Sequence, residues 1–188
     1  MKIGIHTGLF QDKALSEVLR LVADHGYEAV ELPAFLGSPH VDLDAVLEDN
    51  GRSLRTLVKE FGLEISALTN GREGQLVLGP QDWTVDQWAP VQGVSERIRY
   101  GMERLKLTAR AASALEVPVV TGFLGSSVWD KWYNFPSTNE RAYELGWELF
   151  AERMNPILDE CARCGVRFAF EVHPTEICLL YTSDAADE

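Results

Sequence analysis

The stretch CGVRFAFEVH (164–173) sets a glycine directly before a run of alternating side chains, with Phe168, Phe170 and Val172 on one face and Ala169, Glu171 and His173 on the other. The glycine suits the left-handed residue that closes a helix, and the alternation suits a strand over 166–173. The same joint recurs at HGYEAVEL (25–32) and FGLEISAL (61–68). Each reads as helix end, short turn, strand. Working outward, strands are predicted at 2–9 (KIGIHTGL), 29–33 (AVELP), 64–69 (EISALT) and 117–123 (VPVVTGF). Helical spacing fills the intervals: Leu15, Val18, Leu19 and Val22; then Leu54, Leu57, Val58 and Phe61; then Ile98, Met102, Leu105, Ala109 and Ala112. Residues 139–164 carry a last helical stripe, with a bend or restart expected at Pro156.

The turns from helix to strand are short, whereas the connections from strand to helix at 71–91 and 124–138 are long and rich in Gly, Pro, Ser and Trp. This asymmetry is that of parallel folds whose sites are built from the loops at the carboxyl ends of the strands. With no Gly-rich dinucleotide turn, a (β/α)8 barrel is favoured over a doubly wound sheet. At roughly 35 residues per unit a closed barrel needs roughly 280. The 188-residue chain is therefore read as α/β, a truncated (β/α)8 TIM barrel with about five of the eight βα units. That domain is expected to span 1–177. Residues 178–188 (CLLYTSDAADE) lack a helical period and resemble the translated transposase adapter of short-read sequencing libraries, so a non-native tail is expected there.

Composition narrows the function classes. Hydrophobic residues make up 46% and charged residues 24%, with five Trp, which suits a folded globular domain. No apolar run is long enough to span a bilayer, and the N-terminus lacks a signal-peptide core, so no membrane role and a cytoplasmic address are expected. The net charge of -12 repels phosphate backbones, which argues against nucleic acid as a partner. Removing the tail with Asp184, Asp187 and Glu188 leaves the balance acidic. Three Cys make no disulfide framework.

Glu171 and His173, two positions apart at the end of the fifth strand, would face a barrel axis. A carboxylate buried there needs a cation, a donor or a proton, and a divalent metal (Mn, Mg, Zn or Co) or an Arg partner would supply it. Glu31 and His6 sit opposite the apolar residues of their own strands and are candidates for substrate binding. Thr69, Asn70 and Thr121 at strand ends can bond hydroxyls or simply begin turns. Trp129, Trp132, Tyr133 and Phe135 lie among polar groups at 125–138, where flat rings suit a sugar face, a lid or a subunit contact in a homo-oligomer. Trp129 and Trp132 are taken as candidate substrate contacts; Trp83 and Trp88 are ambiguous. Cys161 and Cys164 form a CxxC, but Phe150, Met154, Ile157, Cys161 and Cys164 follow helical spacing, so core packing is expected. His25 and His40 are assigned no role.

The segment GVRFAFEVHPTEI (165–177) resembles the sugar phosphate isomerase/epimerase family with its xylose-isomerase-like TIM barrel. The likeness extends over 1–177, including KIGIHTGLF, AVELP, FLGSSVWDKWYNFP and ELFAERMNPILDECARCGVRFAFEVHPTEI. It implies a divalent-metal-dependent sugar or polyol isomerase/epimerase, with Glu171 as metal ligand and part of the acid/base apparatus and His173 set against a substrate oxygen. The implied chemistry is proton transfer beside a carbonyl through an enediolate. The remaining ligands, usually Asp, His and Glu from later strands, are not in this sequence, so the chain by itself is expected to be inactive. A metal-dependent dehydratase of the inosose type on the same barrel, and an open fragment without catalysis, are the alternatives.

Overall fold

The computed structural model describes residues 1–128, 140–173 and 176–177. Trp129, Trp132, Tyr133, Phe135 and the expected tail at 178–188 lie outside them. Five strands form one sheet in sequence order: β1 (Gly4–His6), β2 (Ala29–Pro33), β3 (Glu64–Thr69), β4 (Val119–Gly122) and β5 (Arg167–Phe170). The pairings β1–β2, β2–β3 and β3–β4 are parallel, as strands joined through helices must be. The helices are α1 (Leu15–Asp24), α2 (Leu43–Glu48), α3 (Arg52–Glu60), α4 (Gly71–Leu78), α5 (Val94–Ala114) and α6 (Glu140–Arg163). The alternation of βα units read from the sequence is present.

The chain divides into two compact units. The first comprises Met1–Asn70, Lys106–Thr121 and Glu160–Ala169. Its core joins Val18, Leu19 and Val22 of α1 to Val30 and Leu32 of β2, Leu68 of β3 and Val120 of β4. The predicted stripe of α1 is the buried one. Gly26, Gly62 and Gly165 have φ of 79°, 71° and 68°, the left-handed values that the three joints require. The short helix α2 has no counterpart in the predicted elements. It starts because Asp42 accepts the amides of Asp44 and Ala45, satisfying two N–H groups that a helix start leaves unpaired.

A bulge in β3 sets the geometry of the first unit. Val30 pairs with Ile65 and Glu31 with Ala67, so Ser66 is the extra residue, and its hydroxyl donates to Val30 O at 3.1 Å. Simple alternation would put Thr69 on the core face with Ile65. The extra residue reverses the phase: Leu68 enters the core at 0% exposure and Thr69 turns to the opposite face.

The second unit comprises the described residues of 71–105, 122–159 and 170–188. The long connection at 71–91 contains α4, which has no counterpart among the predicted elements, and a 3-10 turn at Trp83–Trp88. Gly74 serves close packing there, since a Cβ on it would stand 2.0 Å from Phe123 O; Gly101 of α5 does the same, with a Cβ 2.6 Å from Glu73 O. Pro156 does not restart α6, which is continuous from Glu140 to Arg163. Met154, Ile157 and Cys161 stay buried along it, and that burial outweighs the single backbone bond the proline forfeits.

Candidate functional site

In the first unit the polar faces of β1, β2 and β3 line an open cavity of about 310 Å³, with Lys2, His6, Glu31, Glu64 and Ser66 in its wall. His6 and Glu31 are direct register partners across β1 and β2, so their side chains emerge side by side. Ile5, between Gly4 and His6, packs on the core, as the alternation predicted.

Glu31 is half-buried between Val30 and Leu32, both fully buried. Its Oε1 accepts from the hydroxyls of Thr69 and Thr121, which also approach each other at 2.6 Å. The β3 bulge delivers Thr69 to this contact, and Thr121 follows Val120, whose side chain is in the core. Among the described residues no bond is made to Oε2. Asn70 is wholly buried instead and serves the scaffold, its amide donating to Thr108 Oγ1 at 2.9 Å and its own N–H to Thr121 O at 3.0 Å.

The ring of His6 lies flat against Gly8: a Cβ there would meet Cε1 at 2.3 Å, so the glycine is what makes room for the imidazole. His6 Nε2 is buried with no hydrogen-bond partner among the described residues, a deficit on the order of 1–3 kcal/mol. The residue after it, Thr7, is held by His40, to which the sequence pattern assigns no role. His40 is 5% exposed, and its Nε2 lies 3.2 Å from Lys13 O, an acceptor only. Nε2 therefore donates to it, and Nδ1 lies within hydrogen-bond distance of Thr7 Oγ1, at 2.9 Å. This bridge ties the loop after β1 to the loop after β2. A buried histidine of this kind leaves no periodic signal in a sequence.

In the second unit Glu171 and His173 follow directly on β5, and both are exposed. Water reaches the Glu171 carboxylate, which the sequence places facing a barrel axis. Its backbone N–H donates to Gly122 O at 3.2 Å, extending the β4–β5 pairing by one residue. Val172, placed by alternation on the apolar face, is 61% exposed. The ring of His173 packs against Phe123 with centroids 5.3 Å apart.

Glu176, quoted above only within the resemblance, is the buried acid of this region at 2% exposure. Its Oε2 accepts the amides of Leu124 and Gly125, each at 2.7 Å, while Oε1 has no partner among the described residues. Burial pushes its pKa up; the two amides and His173 pull it down, and the charge of Glu171 adds a smaller upward push. The sequence signal was a carboxylate three residues beyond His173, without periodicity to mark it. Gly125 itself has φ of 78°, and a Cβ on it would stand 2.0 Å from Gly79 O.

The thiols are not chemically poised. Cys161 and Cys164 are free; burial pushes the Cys161 thiol up to about 11, and that of Cys164 is also raised. No group of three His, Cys, Asp or Glu side chains among the described residues is arranged to hold a metal ion. Glu171 contributes an accessible carboxylate, a ligand of a suitable type but short of a full set. No helix among the described residues is long and apolar enough to cross a membrane.

Parallel βα units in sequence order, with polar side chains at the carboxyl ends of the strands, define an α/β architecture of the barrel type. The family described as the xylose isomerase-like TIM barrel matches residues 19–188, and the chain belongs to it. In structure it is similar to the 3-keto-D-glucoside 4-epimerase of E. coli, at 15% identity and a TM-score of 0.63, covering 94% of this chain and 58% of that one. It is similar also to a protein of Rhodospirillum rubrum assigned as a xylose isomerase, at 20% identity and a TM-score of 0.64, covering 94% and 56%. The D-psicose 3-epimerase of Clostridium cellulolyticum, solved with D-tagatose, aligns at 17% identity and a TM-score of 0.56, covering 92% and 52%. The chain thus spans somewhat more than half the length of these proteins, and at such identities the likeness is one of fold. A comparison with curated proteins finds no match.

Proposed function

We propose that the chain is part of a divalent-metal-dependent sugar or polyol isomerase/epimerase that works by proton transfer beside a carbonyl, through an enediolate. The observation that carries this reading is an accessible carboxylate, Glu171, at the carboxyl end of β5 in a xylose isomerase-like barrel. Support comes from the structural neighbours named above, two of which are sugar epimerases. Glu171 would be one metal ligand, the others coming from residues outside those described. A bound divalent cation supplies charge stabilisation of the developing enediolate oxygen.

The chain's own residues do the rest in this proposal. Glu171 holds or returns a proton at the carbon being inverted or isomerised, and His173, braced on Phe123, orients a substrate oxygen. His6 and Glu31 bind substrate, as do Trp129 and Trp132 in the aromatic loop. The substrate is a small sugar or polyol.

Two measurements test the reading. In the 188-residue chain, titration with Mn²⁺ is expected to show affinity no tighter than about millimolar, since one carboxylate and one imidazole are far short of a full ligand set. Tight binding would contradict the assignment of the other ligands elsewhere. In the parent protein, obtained by reading the source DNA through the codon for Ile177, ketose epimerisation is expected to depend on added divalent metal. Activity indifferent to chelation would refute the metal dependence.

A further inference from the structure

We propose that a cavity of the second unit, between α5 and α6, binds a small monocarboxylate with an apolar tail, and that Arg153 holds the carboxylate. The inference goes beyond the isomerase reading and does not depend on it. Three observations lead to it.

The first is how the arginines are paired. Among the described residues, those drawn out of full exposure are Arg55, Arg97, Arg104 and Arg153. Arg55 meets Glu116, Arg97 meets Asp86 and Arg104 meets Glu73, whereas Arg153 meets a backbone oxygen, donating from Nη1 to Val77 O at 2.5 Å. In a chain with 29 acidic residues, a half-buried guanidinium that meets no carboxylate is the exception. Burial pulls the Arg153 pKa down, and the charge of Glu152, its neighbour in the chain, offsets that in part. The edge formed by Nε and Nη2 makes no hydrogen bond among the described residues. A carboxylate fits such an edge with two parallel N–H···O bonds.

The second is the space that Arg153 faces. It lines a cavity of about 360 Å³, a size that suits a small ligand. The lining comes from α4, α5, α6 and the turns that follow α4 and β4, all in the second unit. No residue of the edge strands β1 and β5 borders it, so it does not open through an end of the sheet. Leu78, Pro80, Val94, Ile98 and Leu149 make its wall apolar, while Ser126 and Ser127 add hydroxyls. Apolar side chains ask for hydrocarbon, and one guanidinium asks for one carboxylate.

The third is the limit on charge. Asp82 is the other charged residue of the wall, its carboxylate accepting from the amide and hydroxyl of Thr84. A monoanion is matched by Arg153. A second negative charge on the ligand would meet Asp82 with no cation to balance it, which disfavours phosphate and dicarboxylates.

The test is an NMR titration of the full 188-residue chain, labelled in its backbone amides, with isovalerate, the neutral isoamyl alcohol and inorganic phosphate as the three probes. Isovalerate is expected to shift the amides of Ser126, Ser127 and Val94 saturably with a Kd of about 1 mM, and the alcohol and phosphate to bind at least about tenfold more weakly. Arg153→Gln is expected to weaken isovalerate at least about tenfold and to leave the alcohol as it was. Val94→Glu, at an exposed position that leaves the bond from Arg153 to Val77 in place, brings a negative charge to the wall. It is expected to weaken isovalerate at least about threefold, a readout that stands even if Arg153→Gln fails to fold. Equal binding of the alcohol, tighter binding of phosphate, unchanged affinity in either folded variant, or no saturable shift at these amides would overturn the proposal.

Discussion

Glu31 and Glu171 are both strand-borne carboxylates singled out for the same reason, a charge opposite the apolar residues of its own strand, yet the structure treats them oppositely. Glu31 is half-buried and locked by two threonine hydroxyls; Glu171 is exposed and, among the described residues, bonded through its backbone alone. Alternation reports which face a side chain takes. It does not report what meets it there, because partners come from other strands whose phase depends on local irregularities such as the Ser66 bulge. A carboxylate locked before ligand arrives suits recognition, and an accessible one suits a ligand that brings its own positive charge.

The contrast can be broken at several points. The largest effect is expected from Gly125→Ala, which adds a Cβ 2.0 Å from Gly79 O at a residue with φ of 78°; a loss of at least about 3 kcal/mol, read by urea unfolding, is predicted. A loss within error would mean that the turn after β4 is not held as described. Glu176→Ala, which leaves the amides of Leu124 and Gly125 without their acceptor, should cost about 2–3 kcal/mol and speed hydrogen exchange at both.

Glu176 also predicts a pH dependence. Folding raises its pKa, so the folded chain holds that proton more firmly than the unfolded chain does. Its contribution is favourable below the ordinary carboxylate range and is lost as pH rises through the raised value. In Glu176→Gln this fall in stability with rising pH should flatten, and denaturation series at several pH values would show it. An unchanged slope would mean that Glu176 does not titrate in the folded state as its burial implies.

Smaller effects sharpen the original pair. Thr69→Val with Thr121→Val should cost about 1–2 kcal/mol, because Glu31 loses both of its donors. Glu171→Gln should leave stability within about 0.5 kcal/mol, since no buried side-chain partner is lost. If the two changes cost the same, the distinction between a locked and an open carboxylate fails.

Much of the fold was legible. The second and third strands match their predicted limits of 29–33 and 64–69, and the three joint glycines have the expected left-handed φ. The other strands are shorter than the alternation suggested, β5 ending at Phe170 rather than at His173, because pairing and not residue type ends a strand. Helix α4 was missed since Gly71 and Gly74 are loop signals by propensity and packing devices by position, the tertiary contact overriding the local preference. The site was legible in part. The sequence singled out Glu31, His6, Glu171 and His173, and raised Thr69 and Thr121 as hydroxyl partners. Their convergence on a single oxygen of Glu31 was not readable, since it depends on the bulge. Glu176 and His40 carry no periodic signature, and their burial is a property of loops that only the folded chain defines.

Glu171 is proposed to serve the chemistry, and not the stability, of this barrel. The measurement that tests it most directly is metal content and ketose epimerisation of the parent protein, wild type against Glu171→Gln, with thermal stability recorded on the same samples. The account predicts at least about a hundredfold loss of turnover and a matching loss of bound metal, with the melting temperature unmoved. Unchanged metal content and unchanged turnover in Glu171→Gln would contradict it.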